Sequence, residues 1–560
     1  MQPGTPDSAR SSRIPLPFGP VAGFAVFLLL VWALLAVLTV PARAQSHDHD
    51  DHVTARRWDA DEWRAMPDGP EKVKRELDRQ GEYARRWNLI HDLVGGQHVS
   101  SKSRDLLKSR GLGPALMDKG AGFSGDPFGK RAQDDTLKVL IIRIGFETNR
   151  DPNLTTIDPS GDFVLEPLTD PLPLEVDAPP RDKVFFKSHL EGLAEYYKVM
   201  SGGRLHIEGR VLPEGNDDSY KLTDVADYGP GAEGFWTLEG LERLVQDMMR
   251  KADQETQADG SVNLAEYDDN SPFTYIIFVH SGSDWQSDIN GDSPNDIPTF
   301  FVTLGEPVDL IGTSTGGQPG QLSECSIIPE TTNQDGYPGS IAAAFYHEFG
   351  HALGLPDVYS TYSGLPSVGI WDLMDSGTNL PVTMGTITAE NDTFIISATG
   401  VLPPSISAWN KWFLGWLEMG EVDGRTDDFL LPAVGVPLED YWLYPEFEIL
   451  PDSTQAYRAG LSPREWFLLE NSWVPENVSQ TPYVDLRLER DEPRKLVVLY
   501  LAGQRQGQWF NSGLYDYVMP PGGILVWHVN NDRIVEGLDD NTINIYNDGL
   551  KLVEGDGIQD

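Results

Sequence analysis

A single cysteine, Cys325, stands in a chain of 560 residues, so no intrachain disulfide can form and stability must come from core packing and bound ions. Cys325 reads as a buried small residue, since a thiolate that masks a metal would sit in a preceding segment. Positive charge is scarce too. Lys and Arg number 43 against 86 Asp and Glu, a net charge of -43, and such a surface repels nucleic acid and anionic membranes. Long apolar runs are rarer still. Only Val21 to Val40 is long enough to span a bilayer. With Arg10 and Arg13 before it and Ala42-Arg43-Ala44 after it, it has the three parts of a secretory signal cleaved after Ala44. A retained membrane anchor is the alternative. Cleavage predicts an extracellular protein with no stable membrane association.

The length exceeds what one core usually organises, so two or three folded units are expected. Residues 45–131 are polar and helical in pattern, from the tract His47-Asp48-His49-Asp50-Asp51-His52 to a Gly-rich linker around Lys130-Arg131, and read as a pro-segment that proteases could nick. The tract is either a weak metal binder or an exposed tail. Residues 132–420 alternate apolar strands with helices. TLKVLIIRIGF from Thr136, GRLHIEGRVL, FTYIIFVHSG and TFFVTLG read as strands, and Lys183–Met200 and Leu238–Ala252 as helices. From 421 to 560 short β-rich pieces with many Pro and Gly follow, completing that unit or packing on it. The chain stops on GDGIQD without a terminating feature, which leaves open a longer protein.

The stretch that organises the rest is HEFGHALGLPD, His347 to Asp357. On a helix, histidines four apart share one face and suit a metal, with Glu348 one step round as a base. Gly354 can turn the chain back, and Asp357 arrives where a third ligand is wanted. The helix is expected to begin at Ser340 as N-cap. Ile341, Phe345, Phe349 and Ala352 would face a core, while Ala343 and Ala344 would leave room beside the histidines for metal and substrate. In the loop SDWQSDINGDSPNDIP, Asp288, Asn290, Asp292 and Asp296 crowd together with Asp284. Calcium is one reading and a solvated acidic turn the other, because the glutamate of an EF-hand is absent. Met374, in VGIWDLMDSG, is core filler on composition alone. SISAWNKWFLGWLEMG, Ser405 to Gly420, is expected to be an amphipathic helix with Trp409, Phe413 and Trp416 inward.

HEFGHALGLPDVY, GIWDLMDSG, AWNKWFLGWLE, FLLENS, GGILVWHVNND and YYKVMSGGRLHI together resemble segments of the secreted immune inhibitor A-like zinc peptidases, which belong with or near the metzincins. The resemblance covers roughly Thr136 to the end. It implies an α+β fold with a zincin-like catalytic domain of mixed sheet and active-site helix, a helical pro-segment and a β-rich C-terminal region. It implies His347 and His351 as zinc ligands, Glu348 as general base and acid, and Met374 as the turn residue beneath the metal. Asp357 fits the third position, with another carboxylate as the alternative. Calcium dependence is common in the family. YDDNSPFTY around Tyr267 departs from the family's Gly- and Asp-rich pattern, and no tyrosine follows Met374 directly.

The function expected is therefore a secreted zinc endopeptidase acting on proteins or peptides, with the substrate added as a strand along a sheet edge, either FFVTLG or SECSII. The alternatives are a non-catalytic zinc-binding surface module of the same fold and a membrane-anchored protease.

Overall fold

The computed structural model describes residues 70–115, 135–167, 176–230, 235–314, 317–336, 338–387, 393–422, 430–434, 454–472, 484–491, 496–505, 508–511, 515–518, 523–546 and 548–553. The signal-like run, the His/Asp tract and the Lys130-Arg131 linker lie outside the described residues.

The chain enters through helix α1 (Pro70–Val94). Its apolar positions Trp87, Ile90 and Val94 are buried, as their three- and four-residue spacing on one face requires. Helix α2 (Ser101–Arg110) follows, capped by the Ser100 hydroxyl, which accepts from the Ser103 amide, and ended by Gly111 in the left-handed region.

Strand β1 (Asp135–Thr148) lies inside a mixed sheet. Helix α3 (Lys183–Met200) leads to β2 (Leu205–Leu212) and β3 (Tyr220–Asp224), both parallel to β1. Helix α4 (Leu238–Asp259) runs two turns beyond the expected end, to a left-handed Gly260, and leads to β4 (Thr274–Ser283), parallel to β1 on its other side. β5 (Phe300–Thr313) and β6 (Pro319–Thr331) form an antiparallel pair. The order is β2-β1-β4-β6-β5, so β6, which carries SECSII, is interior and β5, which carries FFVTLG, is the edge.

Alternation along β1 explains why its sequence is almost continuously apolar, because both faces are covered. Leu137, Val139 and Ile141 join the core that holds Phe185, Leu193 and Tyr197 of α3. Leu140, Ile142 and Ile144 face Leu241, Leu244 and Met248 of α4. Helix α5 (Ala342–Ala352) packs into the first of these cores through Phe345, Phe349 and Ala352, as its spacing predicts. Two features of α5 differ from expectation. Its N-cap position is Ile341 rather than Ser340, although the Ser340 hydroxyl still accepts the Ala342 amide at 3.2 Å and the buried Asp177 carboxylate accepts the Ile341 amide at 2.9 Å. And every one of its residues is buried, since Ala344, on the face expected to stay open, packs against Trp87 of α1 and Tyr359.

After the hairpin of β7 (Pro381–Ile387) and β8 (Thr393–Thr399), the helix expected over 405–420 is only α6 (Ala408–Phe413). Gly415 turns left-handed and stops it. It is buried all round rather than amphipathic, and its Lys411 ammonium donates to the Val434 carbonyl at 2.7 Å. Beyond it lie β9 (Gly420–Glu421), β10 (Ala456–Gly460) and β11 (Glu465–Asn471), the separate three-stranded sheet β12 (Val484–Asp491), β13 (Leu496–Arg505) and β14 (Gln508–Asn511), then β15 (Ile524–Asn530), helix α7 (Asn531–Gly537) and β16 (Leu550–Leu552). The second large sheet runs β16-β15-β11-β10-β9. Its Trp466 and Trp527 share the core of Trp409, Phe413 and α5. No helix among the described residues is long and apolar enough to cross a membrane.

Candidate metal centre

Helix α5 sets His347 and His351 one turn apart. Each ring is fixed through Nδ1, His347 donating to the Leu373 carbonyl and His351 to the Leu355 carbonyl, both at 2.9 Å. With Nδ1 protonated, each Nε2 carries a lone pair, and the two Nε2 atoms face each other at 3.1 Å. Gly354, at φ +97°, reverses the chain so that Asp357 returns to the same point. Its Oδ1 lies 3.2 Å from His347 Nε2 and 3.4 Å from His351 Nε2. Two imidazole nitrogens and a carboxylate oxygen thus converge on one buried point, a donor set suited to a metal ion. Ligands held about 2.0–2.1 Å from a tetrahedral zinc are roughly 3.3–3.4 Å apart. The observed separations fit that ion.

The turn beneath the helix is equally specific. Asp372 accepts the Met374 amide at 2.8 Å, and Met374 is buried against Gly350. A Cβ built on Gly350 would lie 2.5 Å from Met374 Sδ, so any larger residue there would force the methionine to shift. Asp357 is held from the C-terminal region: its amide donates to Asn541 Oδ1 at 2.8 Å, and Asn541 Nδ2 donates to its Oδ2 at 2.6 Å.

Two further histidines enter from the N-terminal segment. His91 at the end of α1 places Nδ1 3.3 Å from Asp357 Oδ2 and against the Tyr359 hydroxyl, with Nε2 3.8 Å from Glu348 Oε1. His98 sets Nε2 3.7 Å from Glu348 Oε2, and its Nδ1 donates to the Phe301 carbonyl at 2.8 Å. One ligand atom each from His91, His98, His347, His351 and Asp357 falls within 4.8 Å of all the others. Among the described residues this is the one such group. The segment continues past β5 into α2. Thr303 donates to the Val99 carbonyl, Ser100 and Ser101 donate to the Glu324 carboxylate of β6, and the Ser100 amide donates to the His351 carbonyl at 3.1 Å.

Electrostatics follow from this crowding. Burial alone lowers the His91 pKa, but the Asp357 and Glu348 carboxylates outweigh it and hold it at about 9. Burial and the neighbouring histidines push His98 well below its usual value. Burial lowers His351. For Asp357, burial raises the pKa but is outweighed by His351 and His91, which hold it well below the usual carboxylate range. Glu348 is buried, and neither of its oxygens has a hydrogen-bond partner.

The structure therefore brings together His347, Glu348, His351 and Asp357, with Met374 beneath them. It places the acidic loop elsewhere, with its three fully buried carboxylates, Asp284, Asp288 and Asp296, each accepting from protein donors, Asp284 from the Ser287 amide and the Thr299 hydroxyl. Asp288 accepts the Asp292 and Ser293 amides and lies 3.5 Å from the Arg86 guanidinium of α1. Asp296 accepts from Thr155, Thr156 and Gln334. Asn290 and Asp292 are half-buried. Sequence reasoning missed His91, His98, Tyr359 and Asn541. The seven-residue spacing of His91 and His98 in IHDLVGGQH was the one local signal for the first two.

A buried pair of histidines one helical turn apart, a carboxylate supplied by the following turn and an unpartnered glutamate define a site of the metallopeptidase class. Residues 326–400 match the family model of the immune inhibitor A peptidase M6 catalytic domain. The chain is 25% identical over 382 residues to the pre-pro-metalloprotease PrtV of Vibrio cholerae, covering 58% of this chain and 38% of that protein. It is 26% identical over 271 residues to immune inhibitor A of Bacillus thuringiensis, covering 42% of this chain and 34% of that protein. The matched part thus spans little more than a third of either relative. These matches support placing the chain with the immune inhibitor A-like metallopeptidases.

Proposed function

We propose that the chain is a secreted zinc-dependent endopeptidase hydrolysing peptide bonds of extracellular proteins. The single observation that carries this reading is the convergence of the His347, His351 and Asp357 donors beside the buried, unpartnered Glu348. His347, His351 and Asp357 would hold the zinc. When bound, the ion supplies Lewis acidity that polarises a scissile carbonyl and makes water more acidic. Glu348 takes the proton of the attacking water and delivers it to the leaving amine. The Leu373 and Leu355 carbonyls keep both histidines in the tautomer with Nε2 free, and Asn541 orients Asp357. A peptide substrate would add as a strand along β5, the free edge of the sheet.

Residues 45–131 would be the pro-segment of this enzyme, with 132–420 as the zincin-like catalytic domain and 421–560 completing it. What supports this is the course of α1 and the stretch to α2, whose Trp87, His91 and His98 rings lie against His347 and His351 and which hydrogen-bond to Phe301 and Thr303 of β5. The printed name of the Vibrio relative, a pre-pro-metalloprotease, agrees with export and processing. In the full-length chain the cleft would then be closed until the segment is released.

Glu348→Gln is the test. Processed wild type should cleave casein, and the variant should lose at least about 100-fold of that rate while keeping stoichiometric zinc. A variant that cleaves at the wild-type rate would remove Glu348 from the mechanism. Wild type that binds zinc yet cleaves nothing in a panel of denatured proteins would favour a non-catalytic module.

A further inference from the structure

His98 repeats the device that fixes the two helix histidines. Each of the three rings donates Nδ1–H to a backbone carbonyl, Leu373 for His347, Leu355 for His351 and Phe301 for His98, at 2.9, 2.9 and 2.8 Å. Each is left with its Nε2 free of that bond, and all three belong to the buried group whose ligand atoms lie within 4.8 Å of one another. Such an outer bond is what orients a metal-ligating imidazole and sets its tautomer. His98 is wholly buried and its Nε2 has no hydrogen-bond partner, an orphaned acceptor that would cost free energy without a cation. His91 differs. Its Nδ1 is turned to Asp357 Oδ2 and the Tyr359 hydroxyl, so it braces a ligand from outside.

We infer that in the full-length chain His98 is the fourth protein ligand of the metal, closing the position that a working site leaves open for water, with His91 as a positioning residue on Asp357. The inference rests on the metallopeptidase reading of the site and adds how the N-terminal segment holds it inactive. Catalytic zinc sites have three protein ligands and an open position, whereas four protein ligands make a closed, structural type of site. His98 would convert one into the other. Its carbonyl partner lies on β5, where a substrate backbone would pair, so leaving the metal and leaving the sheet edge are one event. The Ser100 and Ser101 bonds to Glu324, at 2.7 to 2.9 Å, anchor the segment just beyond.

X-ray absorption at the zinc edge of the full-length, unprocessed chain reads the number of imidazoles directly. Wild type should show three, His98→Ala two, and His91→Ala three. Zinc transfer to a competing chelator should be faster in His98→Ala by about tenfold or more. Two imidazoles in wild type would overturn the inference on their own, whether or not either variant folds, and leave the three-ligand reading intact. A count that falls in His91→Ala but not in His98→Ala would also overturn it. Wild type that binds no zinc would instead overturn the reading beneath it.

Discussion

Single residues divide here into those a local pattern can reveal and those only the fold can supply. His347, Glu348, His351 and Asp357 occupy one helix and the turn after it, so residue spacing sufficed to propose them. Asn541 reaches Asp357 across 184 residues, and His91 across 266. No periodicity encodes such meetings, which depend on how α1 and the C-terminal region dock. In the acidic loop composition left calcium and a solvated turn both open, and the fold supplies Asp288 and Asp296 with amide, hydroxyl and guanidinium partners. A titration can be forecast at the same scale. His280 is buried in β4, its Nδ1 donating to the Ser281 carbonyl and its Nε2 unpartnered, and burial lowers its pKa from 6.5 to about 4. Between those values the unfolded chain binds a proton that the folded chain refuses. The stability His280 allows is therefore present above pH 6.5 and lost as pH falls towards 4, by about 1.4 kcal/mol per pH unit. Urea midpoints across this range should fall less steeply for His280→Gln than for wild type. Equal slopes would remove His280 as the source.

Among the elements, β1 and α3 were legible because apolar runs and helical spacing are local properties. The end of α6 was not, because Gly415 breaks a pattern whose aromatic residues continue to Trp416. Helix α5 shows both limits. Its core face was readable, but its other face was expected to be open and is covered by Trp87 and Tyr359, a contact between distant segments. The fit of α5 to the turn beneath it yields a prediction. Gly350→Ala drives a methyl group into Met374 Sδ, with the Tyr197 hydroxyl 3.2 Å away on the same side. Overpacking of this kind should cost about 1–3 kcal/mol, and adding Met374→Ala should restore part of it. Thermal midpoints of the two single variants and the double variant measure the coupling. Strictly additive losses would mean that the two side chains do not meet.

At the scale of the whole molecule, three stretches distant in sequence build one centre. The N-terminal segment brings His91 and His98, the central region brings α5 and its turn, and the C-terminal region brings Asn541 and the tryptophans that share the core of α5. Among the described residues this buried cluster is the one group of His, Cys, Asp and Glu side chains placed to hold a metal ion. A metallopeptidase centre requires one ion at the point where His347, His351 and Asp357 meet. The direct measurement is zinc bound per chain after chelation and re-addition, for wild type, His347→Ala and Asp357→Ala, with circular dichroism confirming that each is folded. Wild type should hold one zinc per chain, with loss of tight binding in both variants. One zinc retained with wild-type affinity in folded His347→Ala would contradict that expectation.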